Sequence, residues 1–452
     1  MENLSLCVPR PSPAHGPRLV RSPKPVHCPP NHVLIRVDRF GFSANNVTYQ
    51  ALGEHPHFRS VTPERPLSRL TSFQVFRLPP RSGSRGRLSD HSRHLPRLGF
   101  WHRPQLDPPK NRPGRARLWL SSPHPLSPPA SLPRRCQQTR LLRTSPTSSA
   151  RYVPLSPYLP QLNAPRDRRP YNQIIRCAAD PQYTPTPAAE DLTMLYRPLF
   201  WTSYWCEDWL FLSNYRGGAS TILLSSASSK TAFCLAYLIQ KRIGRGEVGP
   251  NLKVVGLTSK GNLEFTSGLG LYHDVLEYGS FTSSPMFQIA AAEKRWIYID
   301  LASNDSINQR IFNHFASPNA GTLLACIVLG VTTVTPTSSN ASTLDWNTNT
   351  FTITNNTAIS ASSPPQSENF FMVEWLDIRR HQLSPSEIFG RQARAWKDFM
   401  QDGTSWVKID HVRGGDAVKQ AYEAVAKNGI SPEKGLIWSL WDEDENHVAS
   451  KL

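Results

Sequence analysis

Residues Ile222–Ile239 read ILLSSASSKTAFCLAYLI: an apolar run, five small residues, then a second apolar run. Thr221–Ser225 has the length and apolar content of a buried strand, and Lys230–Ile243 spaces its apolar residues as a helix does. A strand that ends in small residues and opens an apolar helix is how dinucleotide-binding folds offer backbone N–H groups to a pyrophosphate. The glycine fingerprint itself is absent. Ser226, Ser229 and Ala232 stand near its glycine places, and Lys230 and Thr231 open the helix. Small side chains let a ligand approach, and hydroxyls with an ammonium group supply phosphate contacts. A tight turn closed by serine caps and holding no ligand is an equal alternative on local sequence. A phosphate loop of the GxxxxGK[ST] type is excluded, because Leu224 and Ser229 fill its glycine positions ahead of Lys230 and Thr231.

The second strand, 252–257, leads into Thr258-Ser259-Lys260-Gly261-Asn262. NAD-binding units place Asp or Glu here to accept from the ribose 2′-hydroxyl. No acid stands at this point. Hydroxyls and a cation suit a 2′-phosphate, which a carboxylate would repel. NADP is therefore the expected cofactor, with Thr258, Ser259 and Lys260 joining Ser226, Ser229, Lys230 and Thr231 as its contacts. An ordinary solvated turn with a surface lysine is the alternative.

Outward from this unit, strands are expected at 273–278, 296–301 and 322–334, and helices at 262–268, 286–293 and 306–315. An aromatic helix is expected over 190–214. Strands alternating with helices of this length predict an α/β fold with a mostly parallel sheet. A polar linker covers 335–369. Beyond it the pattern predicts a strand at FFMVEWL (370–376), then a helix at 385–400 opened by the Ser384-Pro385 pair. A strand at 406–411, a helix at 416–427 and a strand at 435–441 complete the chain. Upstream, Val33–Val37 reads as a strand, and 1–31 as a disordered Pro- and Arg-rich tail.

The net charge of +17 over 452 residues is local. Residues 60–150 hold 16 Arg and 1 Lys against 3 acids, with 15 of the 41 prolines, leaving only +3 for the rest. Such text lacks any helical or strand period and cannot bury enough apolar surface to offset its ordering entropy. It reads as disordered, and it is also what an out-of-frame or unspliced coding stretch between about 59 and 164 would yield. Its charge would hold nucleic acid non-specifically, but it shows little aromatic interleaving and no recognised module. A nucleic-acid partner ranks last.

No run reaches the ~18 apolar residues of a membrane span, and no signal-peptide core is visible. Seven scattered cysteines without a C-x-x-C pair predict reduced thiols in a cytoplasmic protein. No His, Cys and carboxylate set suits a metal, and no G-x-S-x-G elbow offers a serine nucleophile.

The stretch HVLIRVDRFGFSANNVTYQALGE (32–54), followed far downstream by a βαβ cofactor unit, resembles the medium-chain dehydrogenase/reductase superfamily. Within it the chain is most similar to an uncharacterised branch, a domain of unknown function. That branch shares RRPYNQIIRC, LYRPLFWTSYWCEDWL, SSASSKTA, GLTSKGNLEFTSGLGLYHDVLEY and FFMVEWLDIRRHQL. The resemblance spans about 30–60 and 168–450. It implies a GroES-like β-barrel catalytic domain in 32–59 and 166–200, incomplete here because 60–165 departs from the family. It further implies a Rossmann-type domain in 201–334 and a return of 370–452 to complete both. Phe42-Ser43-Ala44 lacks the cysteine of the zinc enzymes, so the zinc-free, quinone-reductase-like side is implied. Asn46 and Tyr49 stand where such relatives carry Asp and Tyr near the nicotinamide, which makes Tyr49 the candidate polar or proton-relay residue. The expectation is a zinc-independent NADP-dependent oxidoreductase acting on a small carbonyl, enone or quinone. The alternative is a non-catalytic scaffold of the same fold.

Overall fold

The computed structural model describes residues 2–9, 16–23, 32–44, 46, 92–94, 139–143, 152–154, 173–175, 177, 180, 182–288, 294–317, 320–329 and 367–442. Among the described residues, eight strands precede the central sheet. They are β1 Glu2–Pro9, β2 Arg18–Pro23, β3 His32–Arg36, β4 Phe40–Phe42, β5 Ser92–His94, β6 Thr139–Arg143, β7 Tyr152–Pro154 and β8 Gln173–Ile175. The helix α1, Pro187–Leu212, then leads to β9, Thr221–Leu224, and α2, Lys230–Gly244. Next come β10 Lys253–Thr258, α3 Leu263–Gly268, β11 Asp274–Glu277 and α4 Pro285–Gln288. These are followed by β12 Arg295–Asp300, α5 Asp305–Phe315, β13 Thr322–Val328 and β14 Ser367–Asn369. The chain continues through α6 Met372–Gln382, α7 Pro385–Asp402, β15 Lys408–Arg413, α8 Gly415–Asn428 and β16 Lys434–Ser439.

The central sheet has six strands in the order β11-β10-β9-β12-β13-β14, and every pairing in it is parallel. Counted along the chain this is 3-2-1-4-5-6, the doubly wound order of dinucleotide folds. The α/β class with a Rossmann-type sheet is thus built by the chain itself. All four residues of β9 are buried, as expected of a central parallel strand covered on both faces.

A second, three-stranded sheet pairs β15 and β16 in parallel and β4 antiparallel to β16. Phe42 stacks on Trp438 with ring centroids 3.8 Å apart. Leu6, Val418 and Tyr422 fill out this smaller core.

Helix α1 joins the two halves. Thr186 caps it, its side chain accepting from the Ala189 amide, and proline fills the first turn. Its acids meet basic side chains from four other segments. Glu190 and Asp191 pair with Arg39 at 2.6 and 2.8 Å, and Asp191 also meets His411 Nε2 at 2.8 Å. Glu207 pairs with Arg242 of α2 at 2.5 Å, and Asp208 with Arg379 of α6 at 2.9 Å. Burial pushes the Glu207 carboxyl up, while Arg242 and the Tyr215 hydroxyl hold it down. After α1 the chain reverses through Asn214–Gly218, all at positive φ. Glycines at 217 and 218 take that geometry freely. Tyr215 and Arg216, which do not, are held by Glu207 at 2.8 Å and Glu368 at 2.5 Å.

Several expectations change. FFMVEWL is not a strand, because Met372, Trp375 and Arg379 are buried at helical spacing and α6 runs through them. The tail expected in 1–31 contains the antiparallel pair β1 and β2, whose Leu4 and Leu19 pack onto α8. Within the basic window, Ser92–His94 and Thr139–Arg143 are strands, and the rest lies outside the described residues. Residues 367–369 of the expected linker form the sixth sheet strand, and the remainder of it is also outside. Cys7 is disulfide-bonded, against the expectation of reduced thiols throughout, while Cys177, Cys206, Cys234 and Cys326 are free. Among the described residues no group of His, Cys, Asp or Glu suits a metal, and no helix is long and apolar enough to cross a membrane.

Candidate functional site

In a doubly wound sheet, ligands bind outside the carboxyl ends of the strands, where the order reverses. Here that point lies between β9 and β12. The chain leaves β9 through Ser225 and Ser226, and leaves β12 through Asp300 and Leu301.

Ser225 and Asp300 close the floor of the crevice. The Ser225 hydroxyl donates to Asp300 Oδ1 at 3.0 Å and accepts from the amides of Leu301 and Ala302 at 2.8 and 3.1 Å. Asp300 Oδ1 also accepts from the amides of Ala302 and Ser303, both at 2.9 Å, and Oδ2 from Asn308 Nδ2 at 2.8 Å. The Tyr298 hydroxyl donates to Asn308 Oδ1 at 2.7 Å and completes the chain. A carboxylate buried with no cation beside it among the described residues needs this many donors.

The turn itself is laid tightly on β10. The Ala227 amide donates to the Leu257 carbonyl at 2.9 Å, and the Tyr272 hydroxyl to the Ala227 carbonyl at 2.7 Å. Gly256 makes this approach possible, since a Cβ there would sit 2.7 Å from that of Ala227. Ser226 takes a positive φ of 49°, and its amide donates to the Tyr278 hydroxyl at 2.7 Å. Ser229 is the N-cap of α2, its hydroxyl accepting from the Ala232 amide at 3.3 Å. Thr231 is half-buried and its carbonyl accepts from Ser203 of α1 at 2.8 Å. The amides of Lys230 and Thr231 have no acceptor among the described residues, as helix starts leave them.

At the end of β10, Thr258 is buried, while Ser259 and Lys260 are exposed. The Lys260 side chain meets no carboxylate among the described residues. Asn262 Nδ2 donates to Ser228 Oγ at 3.1 Å and ties this loop to the turn after β9. The two stretches singled out in the sequence therefore meet along one rim.

A family model described as "Protein of unknown function (DUF2855)" matches residues 128–431, more than half of the chain. The chain belongs to the DUF2855 family. No curated protein matches its sequence. Among solved structures it is similar to CurA from Vibrio vulnificus in complex with NADPH, at 9% identity. That alignment covers 98% of this chain and 100% of the other, with a TM-score of 0.45. It is also similar to the quinone oxidoreductase from Thermus thermophilus, solved with and without NADPH, at 9% identity. Coverage there is 97% and 100%, with a TM-score of 0.45. Human synaptic vesicle membrane protein VAT-1 homolog-like protein follows at 11% identity, 97% and 98% coverage and a TM-score of 0.41.

One expected phosphate ligand of this DUF2855 chain is engaged elsewhere. The Lys230 ammonium donates to the carbonyls of Pro432 and Lys434, at 3.1 and 2.7 Å, beside β16. An ammonium at a helix N-terminus faces the positive end of the dipole, and carbonyl oxygens of the second sheet satisfy it better. Burial pulls its pKa down from 10.5 to about 8. In the unfolded chain this lysine binds its proton up to the higher value, so stability rises with pH between the two. Unfolding free energies of wild type minus Lys230→Met, measured from pH 7 to 10, will therefore shift in favour of wild type as pH increases. A flat difference contradicts this.

Asn46 is buried and closes its own turn, accepting from the Ser43 amide at 3.0 Å. Tyr49 lies outside the described residues. Residues that sequence reasoning missed are Ser225, Asp300, Asn308 and Tyr278. The available signal was the acid at the end of WIYID, the last residue of the strand paired with β9 across the reversal.

Proposed function

We propose that this DUF2855 chain binds NADP(H) at the β9–β12 crevice and acts as a zinc-independent oxidoreductase on a carbonyl, enone or quinone. The observation that carries the reading is the rim itself. A doubly wound sheet presents a helix start with two unspent amides. The next strand ends in hydroxyls and Lys260, which has no carboxylate partner among the described residues. The amides of Lys230 and Thr231 would hold a pyrophosphate, and Ser259 and Lys260 would face the 2′-phosphate, while Thr258, being buried, would not reach it. When bound, the nicotinamide supplies hydride, and the protein supplies position and exclusion of water. Ser225 and Asp300 keep the crevice floor rigid, and Tyr49 remains the proposed proton relay.

A second reading, a non-catalytic scaffold, is favoured by two contacts. The Ser226 amide is already satisfied by Tyr278, and the Lys230 charge is spent on β16. Thermal unfolding with added nucleotide separates the readings. A ligand at a hundred times its Kd stabilises the native state by about 2.7 kcal/mol. Oxidoreductase function requires NADPH to raise the melting temperature well beyond NADH. No rise with either leaves the scaffold.

A further inference from the structure

We infer that the Tyr278 hydroxyl is a built-in occupant of the phosphate seat, and that it sets how tightly this chain holds a dinucleotide. The inference rests on the dinucleotide reading above and deepens it.

Tyr278 follows β11 at the far edge of the sheet, yet its ring reaches across β10 to the end of β9. There its oxygen accepts from the Ser226 amide at 2.7 Å, the distance at which an anionic ligand oxygen would sit. Positive φ strains a serine backbone, so an amide held in this conformation and directed at a single oxygen is a configured donor.

The phenol is delivered from a fixed segment. The Tyr278 amide donates to the Thr258 carbonyl at 2.9 Å. Arg310 of α5 donates to the carbonyls of Tyr278 and Gly279, the latter at 3.1 Å, and lies 4.8 Å from the Phe281 ring centroid. The ring is only half-buried, so its outer edge can leave the crevice. Burial and the nearby Asp300 push the phenol up, which keeps the hydroxyl neutral at physiological pH. A neutral oxygen is a weaker acceptor than a phosphate and yields to it, at the cost of one bond broken.

Calorimetric titration of full-length wild type and Tyr278→Phe with NADPH tests this. The phenylalanine keeps the ring and its packing. The variant is expected to bind about fivefold more tightly, one ordinary hydrogen bond no longer competing, and inorganic pyrophosphate will show the same direction. Equal or weaker binding by the variant, with wild type still binding, overturns the occupant role and leaves the dinucleotide reading standing. If neither protein binds NADPH, both fall.

Discussion

Replacing Arg197 by methionine lowers the unfolding free energy by about 3–5 kcal/mol, the usual cost of stranding a buried charge. Its guanidinium lies 2.7 Å from Asp180 Oδ2, with side-chain exposures of 2% and 0%. It also sits 5.5 Å from the Trp201 ring centroid and 5.2 Å from that of Trp396, so it links α1 to α7. Removing the cation takes the Arg197 counter-charge away from a fully buried carboxylate. The double variant Asp180→Leu with Arg197→Met will recover most of the loss, because apolar replacement of both partners spares two desolvations. Urea unfolding followed by tryptophan fluorescence checks this. A single variant losing less than about 1 kcal/mol, the value of an exposed pair, contradicts it.

Much of the central sheet was legible because its signals are local. TILLS, LKVVGL and WIYID are short apolar runs between turn residues, and their spacing requires parallel crossovers. The helix expected at 385–400 was announced by the Ser384-Pro385 pair. Ser384 is indeed its N-cap, in a capping box with Glu387, and the helix runs to Asp402. FFMVEWL misled because phenylalanine and valine favour strands while the deciding contact is distant. Trp375 Nε1 donates to Asp208 Oδ2 at 2.9 Å, and Arg379 one turn later meets the same carboxylate, fixing a helical period. Tertiary contacts override propensity in such runs.

The site divides in the same way. Lys260 was singled out from strand-end chemistry and Ser229 from its place near the glycine fingerprint, both short-range signals. The bond between Ser225 and Asp300 spans 75 positions, and that between Ser226 and Tyr278 spans 52. No local pattern encodes either. Lys230 was placed at the right helix start, but its side-chain direction depends on carbonyls some two hundred residues away.

Reversing the charge at Lys260 gives the largest expected functional effect. Lys260→Glu exchanges an attraction for a repulsion at the 2′-phosphate and weakens NADPH binding about ten- to a hundredfold. NADH, which carries no phosphate there, changes by no more than about twofold on the same argument. The exposed position spares the fold, so unfolding temperatures of variant and wild type will agree. The ratio of the two dissociation constants, read from nucleotide fluorescence, is the measurement. Equal weakening of both nucleotides removes the 2′-phosphate argument.

The rim between β9, β10 and β12 stands or falls on direct binding. Isothermal titration of the full-length chain with NADPH is predicted to give saturable, one-site heat, with NADH at least about tenfold weaker for want of the contact to Lys260. A folded sample that gives no heat with either nucleotide contradicts the account.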